Sequence, residues 1–243
     1  MKKSILLITA IYIQLTAWSQ AAIPLLGTEA PSFKAVTTNG NLEFPKDFED
    51  HWKILLSHPK DFTQVCTSEI LALAQMQEEF LELGVKLAVI STDDLRSHFE
   101  WKLLMEDILL ENGNPVKIEF PFIEDHNTRI SNKYGMLHAW EIPTRDVRGV
   151  FIIDPDNIIQ SINFYPINIG RNLEEIKRAV MALQTSEQDQ VLIPVNWKPG
   201  DDVMMKYVPY SEKELADNPG LKDQYYKVGV NMWYKKHGTT EID

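Results

Sequence analysis

The alternation of short apolar runs with longer amphipathic runs constrains the fold of this chain more than any other feature of its sequence. Trp52–Ser57 and Val85–Ser91 are short, apolar and bounded by turn residues, as is typical of buried strands. Helical spacing of apolar residues predicts one helix from about Val65 to Leu83 and a second from Leu95 to about Glu111. Because strands that alternate with helices pair in parallel, the sequence predicts an α/β fold.

Further predicted elements flank this unit. The turn Asn39-Gly40 predicts a hairpin between Phe33–Thr37 and Asn41–Phe44. Downstream we predict a strand, a short helix, two antiparallel strands and a closing helix: Phe120–Ile123, Asn127–Tyr134, Gly149–Ile153, Ile158–Phe164 and Leu173–Leu183. The pattern resembles a thioredoxin-like α/β fold, which we assign to residues 22–184.

The composition changes after Gln184. Thr185–Gln190 is polar, and four prolines follow in a segment with few periodic runs. We therefore expect residues 185–243 to be a C-terminal extension without a core of its own. Its aromatic residues predict that it packs on other protein surface; they include Trp197, Tyr207, Tyr210, Tyr225, Tyr226 and Trp233.

The first 21 residues have the composition of a signal peptide. Lys2 and Lys3 precede the apolar run Ile5–Leu15, and small residues follow at a spacing compatible with cleavage after Ser19 or Ala21. The apolar run is shorter than the ~20 residues that a membrane span needs. We expect a cleaved, exported protein, periplasmic or secreted, without stable membrane insertion.

The net charge and the cysteine content exclude several classes of function for this protein. The formal charge is −11, and it becomes −13 once the two lysines of the leader are removed, so we expect no binding to nucleic acid. Cys66 is the only cysteine in 243 residues, which excludes an intramolecular disulfide and a Cys-x-x-Cys dithiol. A lone thiol is either an inert core residue or a reactive group.

The surroundings of Cys66 favour reactivity. The residue falls in the first turn of a predicted helix, where free backbone N–H groups stabilise a thiolate. Thr63 lies one turn earlier, and its hydroxyl can either face the sulfur or cap the helix. Pro59 can fix the path of the loop against the sulfur or simply end the preceding strand. Spacing leaves both pairs of alternatives open.

Pro59, Thr63 and Cys66 fit the pattern Pro-x-x-x-Thr-x-x-Cys, which resembles the active-site signature of the peroxiredoxins. The longer stretch Ser57–Glu69 is similar to the one-cysteine, peroxiredoxin-6-like branch of the AhpC/TSA family. Further motifs in the same order extend the resemblance over nearly the whole mature chain: Gly27–Phe33, Tyr134–Leu137, Arg148–Asp154, Tyr165–Pro166, Gly170–Asn172 and Pro194–Asp201.

The resemblance implies reduction of hydrogen peroxide or an organic hydroperoxide by Cys66, which becomes a sulfenic acid. It also implies that Thr63 orients the peroxide and that Arg148 stabilises the thiolate and the leaving oxygen. Arg145 is a nearby competitor, but Arg148 directly precedes the Gly-Val-Phe-Ile-Ile strand, as the family arginine does. We therefore assign Arg148.

Three supporting residues also follow from the resemblance. Glu69 and Arg171 match positions that brace the site, although either could instead form a surface ion pair of little energetic value. His58 matches a histidine beside the sulfur, where it would tune the thiol or assist its recovery. Gln64 stands where the family usually has a second proline, a departure that bears on rate rather than on reaction type.

The sequence also leads to expectations about binding partners, cofactors, metals and lipase activity. A single cysteine requires an external thiol reductant. The resemblance also implies that the C-terminal extension reaches across a homodimer. We expect no cofactor and no metal, because the other histidines have no ligand spacing: His51, His98, His126, His138 and His237. Glu49–Lys53 lacks the Gly-x-Ser-x-Gly motif of lipase-active relatives. The rival hypothesis is a peroxide sensor or redox-controlled chaperone that uses the same cysteine.

Overall fold

The structure is a computed structural model and describes residues 23–108, 113–138 and 142–238. The predicted signal peptide, residues 1–21, lies outside the described residues. The chain forms two compact units. The first comprises the chain up to Ala74 together with Lys86–Gly170, and the second comprises Gln75–Val85 and the chain from Arg171 onward. Among the described helices, none is long and apolar enough to cross a membrane.

The first unit is built on a sheet with the strand order β2-β1-β5-β4-β3-β6-β7. Its strands are β1 (Phe33–Thr37), β2 (Gly40–Phe44), β3 (Trp52–Ser57), β4 (Val85–Ser91), β5 (Phe122–Glu124), β6 (Arg148–Ile153) and β7 (Ile159–Tyr165). The predicted hairpin of β1 and β2 is confirmed, and β4 pairs with β5 in parallel. The β3–β6 and β6–β7 pairs are antiparallel.

Within the described residues, the α-helices that accompany this sheet are α1 (Gln64–Glu82), α2 (Leu95–Glu106) and α3 (Arg129–Tyr134). Helix α1 begins in the first unit and continues into the second. Helix α2 starts at the predicted cap, where Asp94 accepts a hydrogen bond from the backbone of Ser97 at 2.8 Å. It ends at Glu106, before the predicted end at about Glu111, and the Glu106 carboxylate accepts a hydrogen bond from the backbone of Ile118 at 3.1 Å.

The core of the first unit is formed by buried residues on and around the central strands of its sheet. All six residues of β3 are buried, which matches the continuous apolar pattern that predicted it. The cluster is rich in stacked and edge-on aromatic pairs, and its fully buried members are Phe44, Leu55, Ala88, Ile90, Ile123, Tyr134, Met136, Phe151, Ile153 and Ile159. This core fixes the strand ends that carry the candidate site.

The second unit contains α4 (Leu173–Gln188) and a small sheet with the order β10-β11-β9-β8. The sheet and its helices are β8 (Val191–Leu192), β9 (Val203–Met205), α5 (Glu212–Asp217), α6 (Pro219–Gln224), β10 (Tyr225–Val228) and β11 (Met232–Lys235). Leu215, Tyr225 and Trp233 form a buried cluster. The expectation of an extension without a core of its own is therefore wrong. The sequence did not show this core because the strands are too short for a periodic apolar pattern.

Helix α4 also differs from its predicted end at Leu183. It starts at the cap Asn172, which accepts a hydrogen bond from the backbone of Glu175 at 3.1 Å, and it runs to Gln188. Glu187 and Gln188 are exposed, so the last turn continues the helix without continuing an apolar stripe. The predicted boundary after Gln184 thus falls inside this helix.

Candidate active site

Cys66 occupies the first turn of α1 and is fully buried. The first backbone N–H groups of a helix have no partner within the helix and carry a partial positive charge. Reactive cysteines commonly lie at such helix N-termini. The strand β3 and the loop after it therefore deliver Cys66 to the position in a helix that reactive cysteines use.

Arg148, the first residue of β6, faces the sulfur. Its Nη1 lies 3.3 Å from Cys66 Sγ and donates to Glu69 Oε2 at 2.7 Å. Its Nε and Nη2 both donate to the backbone oxygen of Ile167, at 3.1 and 2.6 Å. The side chain of Arg148 is only 2% exposed, so its charge acts on the sulfur with little screening by water. Arg148, rather than its competitor Arg145, is thus the arginine at this cysteine.

A clamp between Ser57 and Gly149 sets the position of Arg148. Ser57 Oγ donates to the backbone oxygen of Val147 at 2.7 Å and accepts from the backbone N–H of Gly149 at 2.8 Å. A Cβ added to Gly149 would lie 2.8 Å from that same Oγ. A side chain at position 149 would therefore crowd the Ser57 hydroxyl, which bonds to the backbone on both sides of Arg148.

The loop between β3 and α1 carries Pro59 and Thr63. Pro59 is buried, and Thr63 Oγ1 donates to the backbone oxygen of Lys60 at 2.9 Å. The backbone oxygen of Thr63 accepts from both the N–H and the hydroxyl of Thr67. Phe62, directly before Thr63, has a positive φ of 58° and is half exposed. The hydroxyl of Thr63 therefore donates within its own loop, and its role toward a peroxide stays a prediction.

The three supporting residues have different surroundings. Glu69 is 5% exposed, so its pair with Arg148 is a buried ion pair and not the surface pair that the sequence left open. His58 is fully buried. Arg171 is also buried, but it belongs to the second unit, directly before the cap of α4. The bracing role of Arg171 stays a prediction.

His58 belongs to a buried network that the sequence reasoning missed. Asp61 accepts hydrogen bonds from His58 Nε2 at 2.9 Å, His98 Nδ1 at 2.9 Å and Ser97 Oγ at 2.7 Å. Burial lowers the pKa of His58 despite the nearby carboxylate. Burial opposes ionisation of Asp61, but the hydrogen bonds from both histidines outweigh it and hold the pKa of Asp61 well below its usual range.

The same network contains a candidate set of metal ligands. His58, Asp61 and Asp93 can each offer one ligand atom, all within 4.8 Å of one another. Both oxygens of Asp61 and His58 Nε2 are engaged in hydrogen bonds, and Asp93 Oδ2 accepts from the backbone of Asp61 at 2.8 Å. The Asp61 oxygens, His58 Nε2 and Asp93 Oδ2 are thus paired without an ion, whereas His58 Nδ1 has no hydrogen-bond partner. That the protein needs no metal stays a prediction.

Comparison with known proteins decides the family. Residues 26–162 match the family described as AhpC/TSA. The chain belongs to this family. Residues 182–209 match the C-terminal domain of one-cysteine peroxiredoxins. A peroxiredoxin from Methanosarcina mazei is 43% identical over 203 residues, which cover 83% of this chain and 92% of that protein. Peroxiredoxin 2 of Caldanaerobacter subterraneus is 43% identical over 217 residues, covering 89% and 95%.

Two solved structures resemble the chain as a whole. A yeast mitochondrial one-cysteine peroxiredoxin, studied for thiol resolution through the glutathione and thioredoxin systems, has a TM-score of 0.75 and 33% identity, covering 88% of this chain and 100% of that one. A cysteine-to-serine variant of peroxiredoxin 6 from Arenicola marina has a TM-score of 0.77 and 31% identity, covering 89% and 99%. The chain is therefore a one-cysteine peroxiredoxin, a thiol-dependent peroxidase with a thioredoxin-like fold and a C-terminal extension.

Proposed function

We propose that Cys66 is the residue that attacks the peroxide. Its thiolate sulfur bonds to one oxygen of the substrate while the O–O bond breaks, which leaves Cys66 as a sulfenic acid. The departing hydroxide or alkoxide takes up a proton and leaves as water or alcohol. The substrate is hydrogen peroxide or an organic hydroperoxide.

The contact between Arg148 Nη1 and Cys66 Sγ at 3.3 Å carries this proposal. A buried, permanently charged donor beside the sulfur stabilises the thiolate before the reaction. The same donor then faces the oxygen on which negative charge develops. Thr63 is held one turn away on the same loop and orients the peroxide, while buried Pro59 shields the loop.

Peroxide consumption by the mature protein with a thiol donor tests the assignment. We expect Cys66→Ser to lose all thiol-dependent turnover and Ser68→Ala, which alters an exposed hydroxyl on the same helical turn, to keep it. Turnover by Cys66→Ser at the wild-type rate would contradict the assignment. Many turnovers per cysteine in the wild type would also exclude the rival hypothesis of a sensor that stays oxidised.

The reductant is an external thiol, because the chain has no second cysteine to form a disulfide with Cys66. The yeast relative was studied with the glutathione and thioredoxin systems, which makes both classes suitable first candidates. Oxidising the protein with one equivalent of peroxide and then adding each donor separately identifies the class. Restoration of the free thiol by neither class would exclude both.

Export and dimerisation are two further parts of the proposal. The basic and apolar composition of residues 1–21 supports a cleaved signal peptide and a periplasmic or secreted location. The match of residues 182–209 to the C-terminal domain of one-cysteine peroxiredoxins supports a homodimer. N-terminal sequencing of the exported protein and sedimentation of the mature chain test them. An intact Met1 on the exported protein, or a monomer at micromolar concentration, would contradict them.

A further inference from the structure

The hydroxyl of Thr67 forms two hydrogen bonds whose direction is fixed by the groups it meets. The indole Nε1 of Trp101 lies 3.3 Å from Thr67 Oγ1, and Thr67 Oγ1 lies 2.8 Å from the backbone oxygen of Thr63. An indole N–H only donates and a carbonyl oxygen only accepts, so the hydroxyl accepts from the indole and donates to the carbonyl. The result is a hydrogen-bonded relay that runs from Trp101 through Thr67 to Thr63.

The relay ends on the carbonyl group that starts helix α1. Because Gln64 is the first residue of α1, Thr63 is its N-cap residue. The oxygen of Thr63 accepts the first hydrogen bond of the helix from the backbone N–H of Thr67 at 2.9 Å. The Thr67 hydroxyl adds a second hydrogen bond to the same oxygen. Cys66 lies inside the turn that these two bonds close.

The other end of the relay is held by the packing of α2 against the sheet. Trp101 lies on α2 and is fully buried. Its ring meets that of Phe122, the first residue of β5, edge-on with the centroids 5.7 Å apart, and the ring of Phe62 lies 6.4 Å away. A buried indole N–H normally finds an acceptor, and here that acceptor is the Thr67 hydroxyl. The relay therefore ties the start of α1 to a rigid part of the first unit.

The turn closed by the relay also carries the reacting sulfur. Cys66 Sγ lies 3.3 Å from Arg148 Nη1, and Arg148 is tied independently to the backbone oxygen of Ile167. The ends of helices fray more readily than their middles. Opening of the first turn of α1 moves Cys66 and leaves Arg148 in place, so it breaks the contact between them.

We propose that Thr67 and Trp101 are positioning residues for peroxide attack, and that the relay keeps the first turn of α1 closed with Cys66 opposite Arg148. Neither residue touches the peroxide, because Trp101 acts through Thr67 and Thr67 acts through the backbone of Thr63. The inference rests on the proposed function, in which the sulfur of Cys66 attacks the peroxide.

Ser68 provides a comparison within the same turn. Its Oγ also donates to a backbone oxygen, that of Val65, at 2.8 Å. Ser68 is exposed, whereas the Thr67 hydroxyl is joined to a buried residue of another helix. Ser68→Ala therefore removes a hydroxyl with a similar local hydrogen bond and leaves the relay intact.

Nitrogen-15 spectra of the tryptophan-labelled mature protein test the bond between Trp101 and Thr67. Trp101→Phe assigns the signal of the Trp101 indole N–H. We expect this signal to move in Thr67→Val, which keeps the shape of the side chain but removes the acceptor. It should stay in place in Thr67→Ser, which keeps the hydroxyl. An unchanged signal in Thr67→Val would overturn the relay.

Single-turnover kinetics test the positioning role. The reduced protein is mixed with hydrogen peroxide in a quenched-flow instrument, and the sulfenic acid is trapped and weighed by intact mass. We expect Thr67→Val to slow attack by about 10-fold, because small displacements of a reacting group are costly. Thr67→Ser should react close to the wild-type rate. Wild-type attack by Thr67→Val would overturn the inference.

A double-mutant cycle tests whether Trp101 acts through Thr67. Trp101→Phe should slow attack in the wild-type background but add little to Thr67→Val, in which the relay is already broken. Equal fold-losses from Trp101→Phe in both backgrounds would show that Trp101 acts independently of Thr67 and would contradict the proposal.

Hydrogen exchange distinguishes a loss of positioning from a general loss of stability. In Thr67→Val we expect protection of the amide at position 67 to fall by about 2- to 10-fold, the scale of one hydrogen bond. Amides in the middle of α1 should keep their protection, since local and global opening are separate processes. Equal loss of protection along all of α1 would contradict a local role.

Ser68→Ala is the matched control and should change neither the Trp101 signal nor the rate of attack. Should Trp101→Phe not fold, the kinetics of Thr67→Val against Thr67→Ser still decide. An inactive relay would leave the assignment of Cys66 intact. Failure of wild-type Cys66 to form a sulfenic acid at all would instead contradict the proposed function.

Discussion

Replacing Glu69 with glutamine removes the negative charge that faces Arg148 but keeps a side chain of the same length with an oxygen that can accept. The pair is 2.7 Å long, and its side chains are 2% and 5% exposed. Removing one partner of a buried ion pair typically costs 3–5 kcal/mol, because the remaining charge stays buried without compensation. Arg148 keeps both bonds to Ile167, so we expect the low end, about 3 kcal/mol.

For a chain of this length, about 3 kcal/mol corresponds to a fall in Tm of roughly 6–12 °C. The rate of peroxide attack should fall by about 10- to 100-fold, since Nη1 loses the partner that holds it near the sulfur and small displacements of a positioned group are costly. Thermal unfolding followed by circular dichroism measures the first effect. Stopped-flow fluorescence after mixing with hydrogen peroxide measures the second.

Glu79→Gln provides a control with the same substitution on the same helix. Glu79 pairs with Lys177 at 2.6 Å, but its side chain is 53% exposed. Exposed pairs contribute at most about 1 kcal/mol, so this variant should unfold near the wild-type temperature and react at the wild-type rate. Equal Tm shifts in Glu69→Gln and Glu79→Gln, with unchanged peroxide kinetics in both, would refute the reasoning from burial.

Substitutions at three other positions probe separate features of the molecule. Arg148→Lys replaces the planar fork that reaches Ile167 and the sulfur together, and we expect single-turnover peroxide reduction to slow by at least about 100-fold; a loss below tenfold would contradict the assigned role. Thr63→Val removes the bond to Lys60 and the hydroxyl offered to the peroxide, whereas Thr63→Ser keeps both and should retain most of the rate. Asp146 is buried, its carboxyl oxygens have no hydrogen-bond partner, and burial raises its pKa well above the usual value. The folded protein therefore binds a proton that the unfolded chain releases, and stability falls as pH rises from the unfolded pKa toward the folded one. Asp146→Asn should flatten this dependence and stabilise the protein at neutral pH; an unchanged slope in denaturant titrations across pH would contradict it.

Most strands and helices of the first unit could be predicted from the sequence, because the patterns that define them lie in neighbouring residues. Trp52–Ser57 is bounded as predicted, since a continuous apolar run and His58-Pro59 define its ends. Thr63, Cys66 and Glu69 fall at three-residue spacing on one loop and helix, which brings them to one side. The chain order of strands and helices was sufficient for the α/β class.

What escaped prediction depends on contacts between distant segments. The backbone oxygen of Ile167 anchors Arg148, and no sequence pattern reports on a backbone acceptor. His98 has no ligand spacing along the chain, yet the fold brings it to Asp61, 37 residues earlier. The core of the C-terminal extension was missed for a different reason. Its strands have only two to four residues, which is too short for an alternating apolar pattern to appear.

The clamp between Ser57 and Gly149 has a consequence for mutational tolerance. Gly149 contributes no functional group, yet a Cβ there would lie 2.8 Å from Ser57 Oγ, so either that hydroxyl or the peptide beside Arg148 has to shift. A saturation screen for peroxide resistance would therefore rank position 149 beside the reacting residues. Ser57→Ala removes the closest obstructing atom, so Gly149→Ala should be better tolerated in that background. Sensitivity to substitution at position 149 thus reflects lack of space and not the loss of a reacting group. The Ser57→Ala background distinguishes these two causes.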